Sequence, residues 1–560
     1  MSATSSPGST LRARTWRAEA LLRALENVLD VGQRPDELVV YASFAKAARD
    51  HDALDRIRQE LLALEPGHTL VLQSGKPIGV LPTGPDAPLV VSAVNNVVGR
   101  WQTPHTFWER AAAGDTIWGG LTAAAWQYIG RQGVLQGTYE VFRLALRDTA
   151  AAPESTWILT AGLGGMGSAQ PLAARMAGTS SITVEIDPAA LDRSRRAGGV
   201  EVVLDDVASA VAAVDAAARD GQPLAVGLLG NAATAYPQIL ERLTGTLLTK
   251  PGIATDMTAA HDLRAGYLPP QIPLDSWDDE RRRDPAALEK LAGEAIAAQV
   301  DALLGFRREG AVVFENGNNL RVQAAEHGLA DAYTIDGFVP RYLRPLFARG
   351  IGPFRWIALS GEQADLDALD EIASTVSPRP EVAAWIALAR EHVPRQGLPA
   401  RSCWLGHGER SAMARAADDA VRAGRLQAPV LFTRDHLDAA GMTHPRIGTE
   451  AMPDGSDGVS DWPLLAAMLR AATGAALVAV HGGGGGYSGW MQSAGVSVVA
   501  DGEPGTADRI ARALDVDTGL GVLRYAEAGS DEARDAVRTH ALHWTAAATT
   551  AITTEGTTDA

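Results

Sequence analysis

Apolar and polar positions along this chain follow two periods, and the switches between them mark its elements. Trp16 to Asp30 (WRAEALLRALENVLD) repeats apolar residues at three- and four-residue intervals, which predicts an amphipathic helix ended by Gly32. Leu38–Tyr41 reads as a strand, Ala53 to Leu64 as a helix, and HTLVLQSGKPIGVLPT (68–83) as strand, turn, strand. Gln73 and Lys76 fall in that turn, as solvated residues or as ligand contacts. The middle of the chain alternates short apolar runs with helical stretches. Strands are expected at Trp157–Thr160, Ile182–Ile186, Leu224–Leu229 and Ile253–Ala254, with a helix over Asp206–Ala218, and this alternation implies a parallel sheet. A helix from Pro285 to about Leu304 leads into a strand and polar turn in AVVFENGNNLR (311–321). Residues 337–356 are rich in Pro, Gly and Arg and read as a structured connection. The last third adds a helix at Gln363–Ser374 and strands at Pro429–Thr433 and Leu477–Val480. Residues 1–10 read as disordered and 546–560 as a low-information tail.

Size and charge narrow the class. The 560 residues suggest two to four domains, and 46% hydrophobic residues suffice for well-buried cores. With 67 acidic against 50 basic residues the net charge is −17, which argues against broad contact with nucleic acid or an anionic membrane. The lone Cys403 excludes an internal disulfide framework and points to a reducing, cytoplasmic setting. No apolar run approaches the roughly 20 residues a bilayer span needs, and MSATSSPGST lacks signal-peptide character. A soluble, unexported protein is expected.

The strongest chemical signal runs from Thr156 to Asp187. A buried strand delivers the backbone into Gly162, Gly164 and Gly167, spaced G-x-G-x-x-G, and a second strand ends at Glu185 and Asp187. The glycines permit a tight turn and close approach to a pyrophosphate, while an acid about 20 residues on accepts ribose hydroxyls. Asn231, at the end of a later strand, is either a cofactor contact or a helix N-cap.

Other ionisable residues carry two readings each. His261 and Asp262 fit an acid/base with its orienter, or a helix-end cap. Arg355 fits a bidentate carboxylate clamp or a loop arginine satisfying carbonyls. Cys403, between Arg401 and His407, is a low-pKa thiol or a buried filler. The five glycines after His481 are a candidate anion nest or a close-packing loop. DSWDDERRRD (275–284) mixes both signs and reads as a solvated turn and helix start without function. Asp435, His436 and Asp438 lack metal-ligand spacing, so no metal site is expected.

Taken together, VLQSGKPIGV, LTAGLGGMG, VGLLGNAA, GFVP-Y-RPLF, GIGPFRW-ALSG, CWLGHGER, TRDHLD and DGSD-VSDWPLL make the chain resemble urocanase, the hydratase of histidine catabolism, from about Trp16 to Tyr525. The resemblance implies an α/β protein in which a Rossmann-like NAD-binding domain (137–348) is inserted into a discontinuous α/β core domain (1–136 and 349–545), followed by a tail (546–560). It implies a cytoplasmic homodimer, an imidazole acrylate substrate, and tightly held NAD that acts as an electrophile without net hydride transfer. It places Gln136, Gly165, Met166, Gly167, Glu185, Asn231, Ala232, Thr258, His261, Tyr267, Leu268 and the glycine run with Gly484 and Gly485 near the cofactor, and Gly162 and Gly164 of the fingerprint, Met257 and Asn316 join them as cofactor candidates. It places Tyr41, Arg355 and Cys403 around substrate and nicotinamide, with His261 a fourth catalytic candidate. Arg355 would grip the propenoate carboxylate, and Tyr41 would orient water or relay a proton. Cys403 lies in the family's active-site motif, although hydration requires no thiol nucleophile.

Departures from the family pattern cluster on binding loops. Ala42 and Ser43 replace a glycine pair after Tyr41, Met257 and Ala259 replace Gln and Ser, Asn316 replaces Tyr, and Ala190 stands where an arginine is usual, with Arg193 a candidate to compensate. The Met257 and Ala259 changes make that rim more apolar. Two substrates fit: plain urocanate in a divergent member, or a urocanate with an apolar ring substituent, of which S-methyl thiourocanate is favoured. Outside this class, an NAD dehydrogenase predicts NADH formation with turnover, and a non-catalytic NAD-binding protein predicts no turnover.

Overall fold

The computed structural model describes residues 8–434 and 441–545; Asp435, His436, Asp438, residues 1–7 and the 546–560 tail lie outside them. The opening helix spans Trp16–Asp30, with Thr15 accepting from Ala18 N as its N-cap, and its inner face buries Leu21, Leu25 and Val28. Five strands follow: β1 (Val39–Tyr41), β2 (Ala45–Lys46), β3 (His68–Gln73), β4 (Lys76–Pro82) and β5 (Val90–Val94). Helices at His51–Ala63, between β2 and β3, and Pro104–Ala112, after β5, precede a helix over Arg131–Arg147 that the glycines in its sequence conceal.

The central region holds β6 (Trp157–Ala161), β7 (Ser180–Glu185), β8 (Val202–Leu204), β9 (Ala225–Leu229), β10 (Pro251–Ala254), β11 (Val312–Glu315) and β12 (Asp336–Gly337). They form one sheet in the order β12-β11-β10-β6-β7-β9-β8, and every pairing is parallel. The fully buried β6 and the nearly fully buried β7 explain the continuous apolar runs: a parallel sheet covered by helices on both faces has no polar side. The remaining strands are β13 (Gly352–Ala358), β14 (Ala400–Leu405), β15 (Val430–Arg434), β16 (Met442–Thr443), β17 (Leu477–His481) and β18 (Gln492–Ala500). They join β3, β4 and β5 in a nine-stranded mixed sheet, in which β5 pairs in parallel with β17, Val90 opposite Leu477. The fold is therefore α/β, with a Rossmann-like sheet set between the two chain segments that build the nine-stranded sheet, while β1 and β2 pair separately.

Among the described residues no helix is long and apolar enough to cross a membrane. The segment 337–356 holds a π-helical turn (Val339–Leu343), a short helix (Arg344–Phe347) and the start of β13. The acidic-basic stretch near 280 forms a short helix, Trp277–Arg283.

Candidate active site

A cavity of about 650 Å³ opens where the carboxyl ends of the parallel strands face the nine-stranded sheet. The turn after β6, Glu185 on β7, Asn231 after β9, Met257 and Thr258 after β10, and Asn316 after β11 line one side. Tyr41, Arg355, Trp404 and His481 line the other. This is the crevice where open parallel sheets collect ligands.

The glycine turn is closed inward and open outward. A Cβ on Gly167 would run into the carbonyl oxygen of Gly162, and one on Gly162 (φ +86°) would stand 2.5 Å from the carbonyl oxygen of Met257. A Cβ on Gly164 would meet only the Gln33 amide nitrogen, at 3.8 Å. Glu185 braces the turn: one carboxylate oxygen accepts from Leu163 N at 2.5 Å and the other from Asp187 N at 3.0 Å, and burial pushes its pKa up. Asp187 caps the next helix and holds Arg193 at 3.3 Å, and Ala190 and Arg193 both line the cavity.

Asn231 is a helix N-cap that also stands on the cavity wall. Its Oδ1 accepts from Ala233 N at 2.9 Å as an N-cap, its Nδ2 donates to the Leu268 carbonyl at 2.8 Å, and it lines the cavity with Ala232, Tyr267 and Leu268. Behind Thr258 lies a buried network that sequence reading missed. Asp256 accepts from Thr258 N and Oγ1, from Gln299 Nε2 at 2.8 Å and from Asn318 Nδ2 at 2.6 Å, while Tyr267 donates to Gln299 Oε1 at 2.7 Å. Burial raises the Asp256 pKa, and these donors oppose it.

On the opposite wall Tyr41 stacks on Tyr128 with ring centroids 5.0 Å apart. Tyr128 donates to the Gly165 carbonyl at 3.3 Å, and burial pushes its phenol up to about 12 against the pull of Arg131 and Arg355. Ala42 and Ser43 keep left-handed φ of +48° and +66°, a geometry that costs L-residues about 1–2 kcal/mol each. His261 stacks on Tyr487 at 4.4 Å and meets Trp118 edge-on at 5.6 Å. Its buried Nε2 has no hydrogen-bond partner, and burial drives its pKa down to about 3, so the ring is neutral. Tyr487 donates to the Gly317 carbonyl at 3.0 Å. Neither Tyr128 nor Tyr487 stood out in the sequence as a site residue; each is recognisable only through its stacking partner.

Three expected site residues are not brought to the cavity, and one expected pairing is not made. Gln136 sits on the Arg131–Arg147 helix, whose cavity stripe is Gly133, Val134, Gly137, Thr138 and Val141; position 136 falls off that stripe. Cys403 pairs across the sheet with Phe354, whereas the flanking Trp404 and Arg355 face the cavity. Alternation along a strand therefore turns the thiol into the core, where it is fully buried and burial pushes its pKa up. Gly485 packs beneath the cavity, since a Cβ there would stand 2.5 Å from Trp118 and 2.7 Å from the Asp262 carboxylate; Gly484 does line the cavity. Asp262 does not orient His261. Its Oδ1 accepts from Arg264 N and Ala265 N, capping a turn, and burial lifts its pKa to about 6. The glycine run is thus a close-packing loop: a Cβ on Gly486 would fall on the His261 carbonyl. The other expected positions, Gly162, Gly164, Gly165, Met166, Gly167, Glu185, Met257, Thr258, His261 and Asn316, all line the cavity with Tyr41 and Arg355.

Among the described residues no group of three or more His, Cys, Asp or Glu side chains stands together as a metal site. Compared with known families, the chain matches the Urocanase N-terminal domain over residues 3–127, the Urocanase Rossmann-like domain over 130–342 and the Urocanase C-terminal domain over 345–539.

Proposed function

Because the chain belongs to the urocanase family of hydro-lyases, we propose that it adds water to an imidazole acrylate using tightly held NAD, and that the imidazole carries an apolar substituent, S-methyl thiourocanate foremost. The observation that carries this reading is the single cavity shared by the glycine turn, Tyr41 and Arg355.

The residues present fit a dinucleotide. The turn from Gly162 to Gly167 leaves backbone free of side chains where a diphosphate needs close approach, and Glu185 and Asn231 stand at the adjacent strand ends. When bound there, the nicotinamide supplies an electron sink for the substrate's imidazole. The chain's own groups do the rest. The Arg355 guanidinium, a planar fork of donors, suits the propenoate carboxylate. The Tyr41 hydroxyl is held by its stack on Tyr128 and is the group to orient water or pass a proton. His261, neutral at pH 7 with Nε2 unpartnered, suits a single hydrogen bond to a bound ligand rather than charge pairing.

The substituent reading rests on the wall's chemistry. Met257 and Ala259, both changed from the family's polar residues, line the cavity, as do Met442, Met491 and Ile447. Thioethers and aliphatic groups favour an apolar, polarizable substituent over water. The test is loss of the substrate's conjugated ultraviolet absorbance with purified protein and no added NAD, comparing S-methyl thiourocanate with urocanate. Faster turnover of the methylthio compound supports the proposal, faster turnover of urocanate assigns plain urocanate, and NADH accumulation overturns the hydratase reading. A homodimer is part of the proposal, and sedimentation at the monomer mass would remove it.

A further inference from the structure

The glycine turn carries no basic side chain, and the groups placed over it come from elsewhere in the chain. Gln33, between the opening helix and β1, brings its amide nitrogen to 3.8 Å and 3.7 Å of the positions a Cβ would take on Gly164 and Gly165. The neighbouring Arg34 donates to the Ser43 carbonyl at 2.8 Å and pairs with Glu37 at 3.2 Å. Its guanidinium lies over the Phe44 ring, 4.9 Å from the centroid. A second guanidinium, Arg281 on the Trp277–Arg283 helix, also lies over Phe44 at 4.9 Å and pairs with Asp278 at 2.9 Å. Gln33, Arg34, Phe44 and Arg281 all line the cavity. Phe44 is fixed from behind by Trp108, edge-on at 6.4 Å, and by Trp118 at 6.2 Å.

Two features of this arrangement need a reason. Two guanidiniums are gathered on one aromatic ring of the cavity wall; each has a single carboxylate beside it, Glu37 or Asp278, and an anion lying between them would offset the repulsion that these two pairs leave. Each guanidinium also has five N–H donors, and the named polar contacts leave several of them for such an anion. The ring is shared by two distant stretches, since Phe44 and Arg34 precede the parallel sheet while Arg281 follows β10 within it.

We infer that Gln33, Arg34 and Arg281, pinned together by Phe44, form a clasp that closes the cavity over the diphosphate of the bound dinucleotide and sets how slowly it leaves. The inference rests on reading the cavity as a dinucleotide site. It gives the 275–284 stretch a role, with Arg281 as the far half of the clasp and Trp277 beside it on the cavity wall. Dissociation then requires parting of a cation–π contact that bridges two regions of the chain.

The test measures NAD release from the full-length holoprotein after dilution into a NAD scavenger, for wild type, Arg281→Ala, Phe44→Leu and the double change Arg34→Ala/Arg281→Ala. Far-ultraviolet circular dichroism and the urea midpoint report folding. Release should accelerate at least tenfold in Arg281→Ala and in Phe44→Leu, and further in the double variant. Phe44→Leu keeps apolar bulk while removing the ring face, so a loss of retention there with an unchanged urea midpoint separates the clasp from general packing. Release rates within twofold of wild type in all three variants overturn the clasp and leave the cofactor reading standing. A wild-type protein that neither carries NAD nor binds it by calorimetry overturns both.

Discussion

Two loops in this protein look alike in sequence and work in opposite ways. Each follows a buried strand and is dominated by glycine: 162–167 after β6 and 482–486 after β17. At Gly164 an added Cβ would reach only one side-chain amide, at 3.8 Å, and would otherwise project into the cavity. At Gly486 it would fall on the His261 backbone. The first loop lacks side chains so that a ligand can approach, and the second so that two backbones can. What distinguishes them is the atom waiting where the side chain is missing, which no local pattern encodes.

The largest effect expected from this contrast is on folding. Gly486→Ala should cost more than about 3 kcal/mol, because backbone must move to admit the methyl group. A urea midpoint near wild type would mean that the loop does not back His261. Gly164→Val should do the reverse: apoprotein stability within about 0.5 kcal/mol of wild type, with NAD affinity down about 100-fold, roughly 2.7 kcal/mol. Unchanged NAD affinity by calorimetry would remove the cradle.

His261 sits between the loops and supplies a pH test. Its pKa falls from the ordinary 6.5 to about 3 in the folded protein, so below pH 6.5 the unfolded chain takes a proton that the folded one refuses. The stability it contributes is present above pH 6.5 and is lost as pH falls. Asp262, raised from 3.8 to about 6, works the other way, since its folded form holds a proton through that window. Removing the imidazole in His261→Asn should therefore make stability rise, relative to wild type, by up to about 1.4 kcal/mol per pH unit as pH falls from 6 to 4. Parallel stability–pH curves would show that His261 is not buried as described. The smallest effect expected is in Met257→Gln, whose carbonyl closes against Gly162 while its side chain faces the cavity. The ratio of kcat/KM for S-methyl thiourocanate over urocanate should drop about fivefold, near 1 kcal/mol. An unchanged ratio would place specificity elsewhere on the wall.

Most of the scaffold was legible because its signals are local. The opening helix runs from Trp16 to Asp30 as its spacing predicts, and β6, β7, β9 and β10 fall within two residues of the apolar runs that announce them, whereas the short β8 and β12 are not among the strands expected from the sequence. The glycine turn, Glu185 and Asn231 come together on one cavity because strand ends in such sheets converge. Gln136 falls off the cavity-lining stripe because Gly133 and Gly137 belong to a 17-residue helix. As a helix, the same stretch puts those glycines on the cavity side and the glutamine away from it. Cys403 was drawn in by its motif, yet one position along a strand reverses the face a side chain occupies. The Asp256 network and the two arginines on Phe44 join residues far apart in sequence, so only the folded chain brings them together.

The parallel pairing of β5 with β17 also fixes an order of events during synthesis. Val90 waits for Leu477, 387 residues later, before the middle of its sheet can close. At about 5–20 residues per second that interval is roughly 20–80 s on a translating ribosome. Until then β5, paired on its other side with β3, presents an unpaired apolar edge, while the parallel sheet between β5 and β17 already has its whole sequence in hand. Nascent-chain crowding and chaperone capture should therefore act on the amino-terminal strands first, and the catalytic cleft is completed among the last things the chain does.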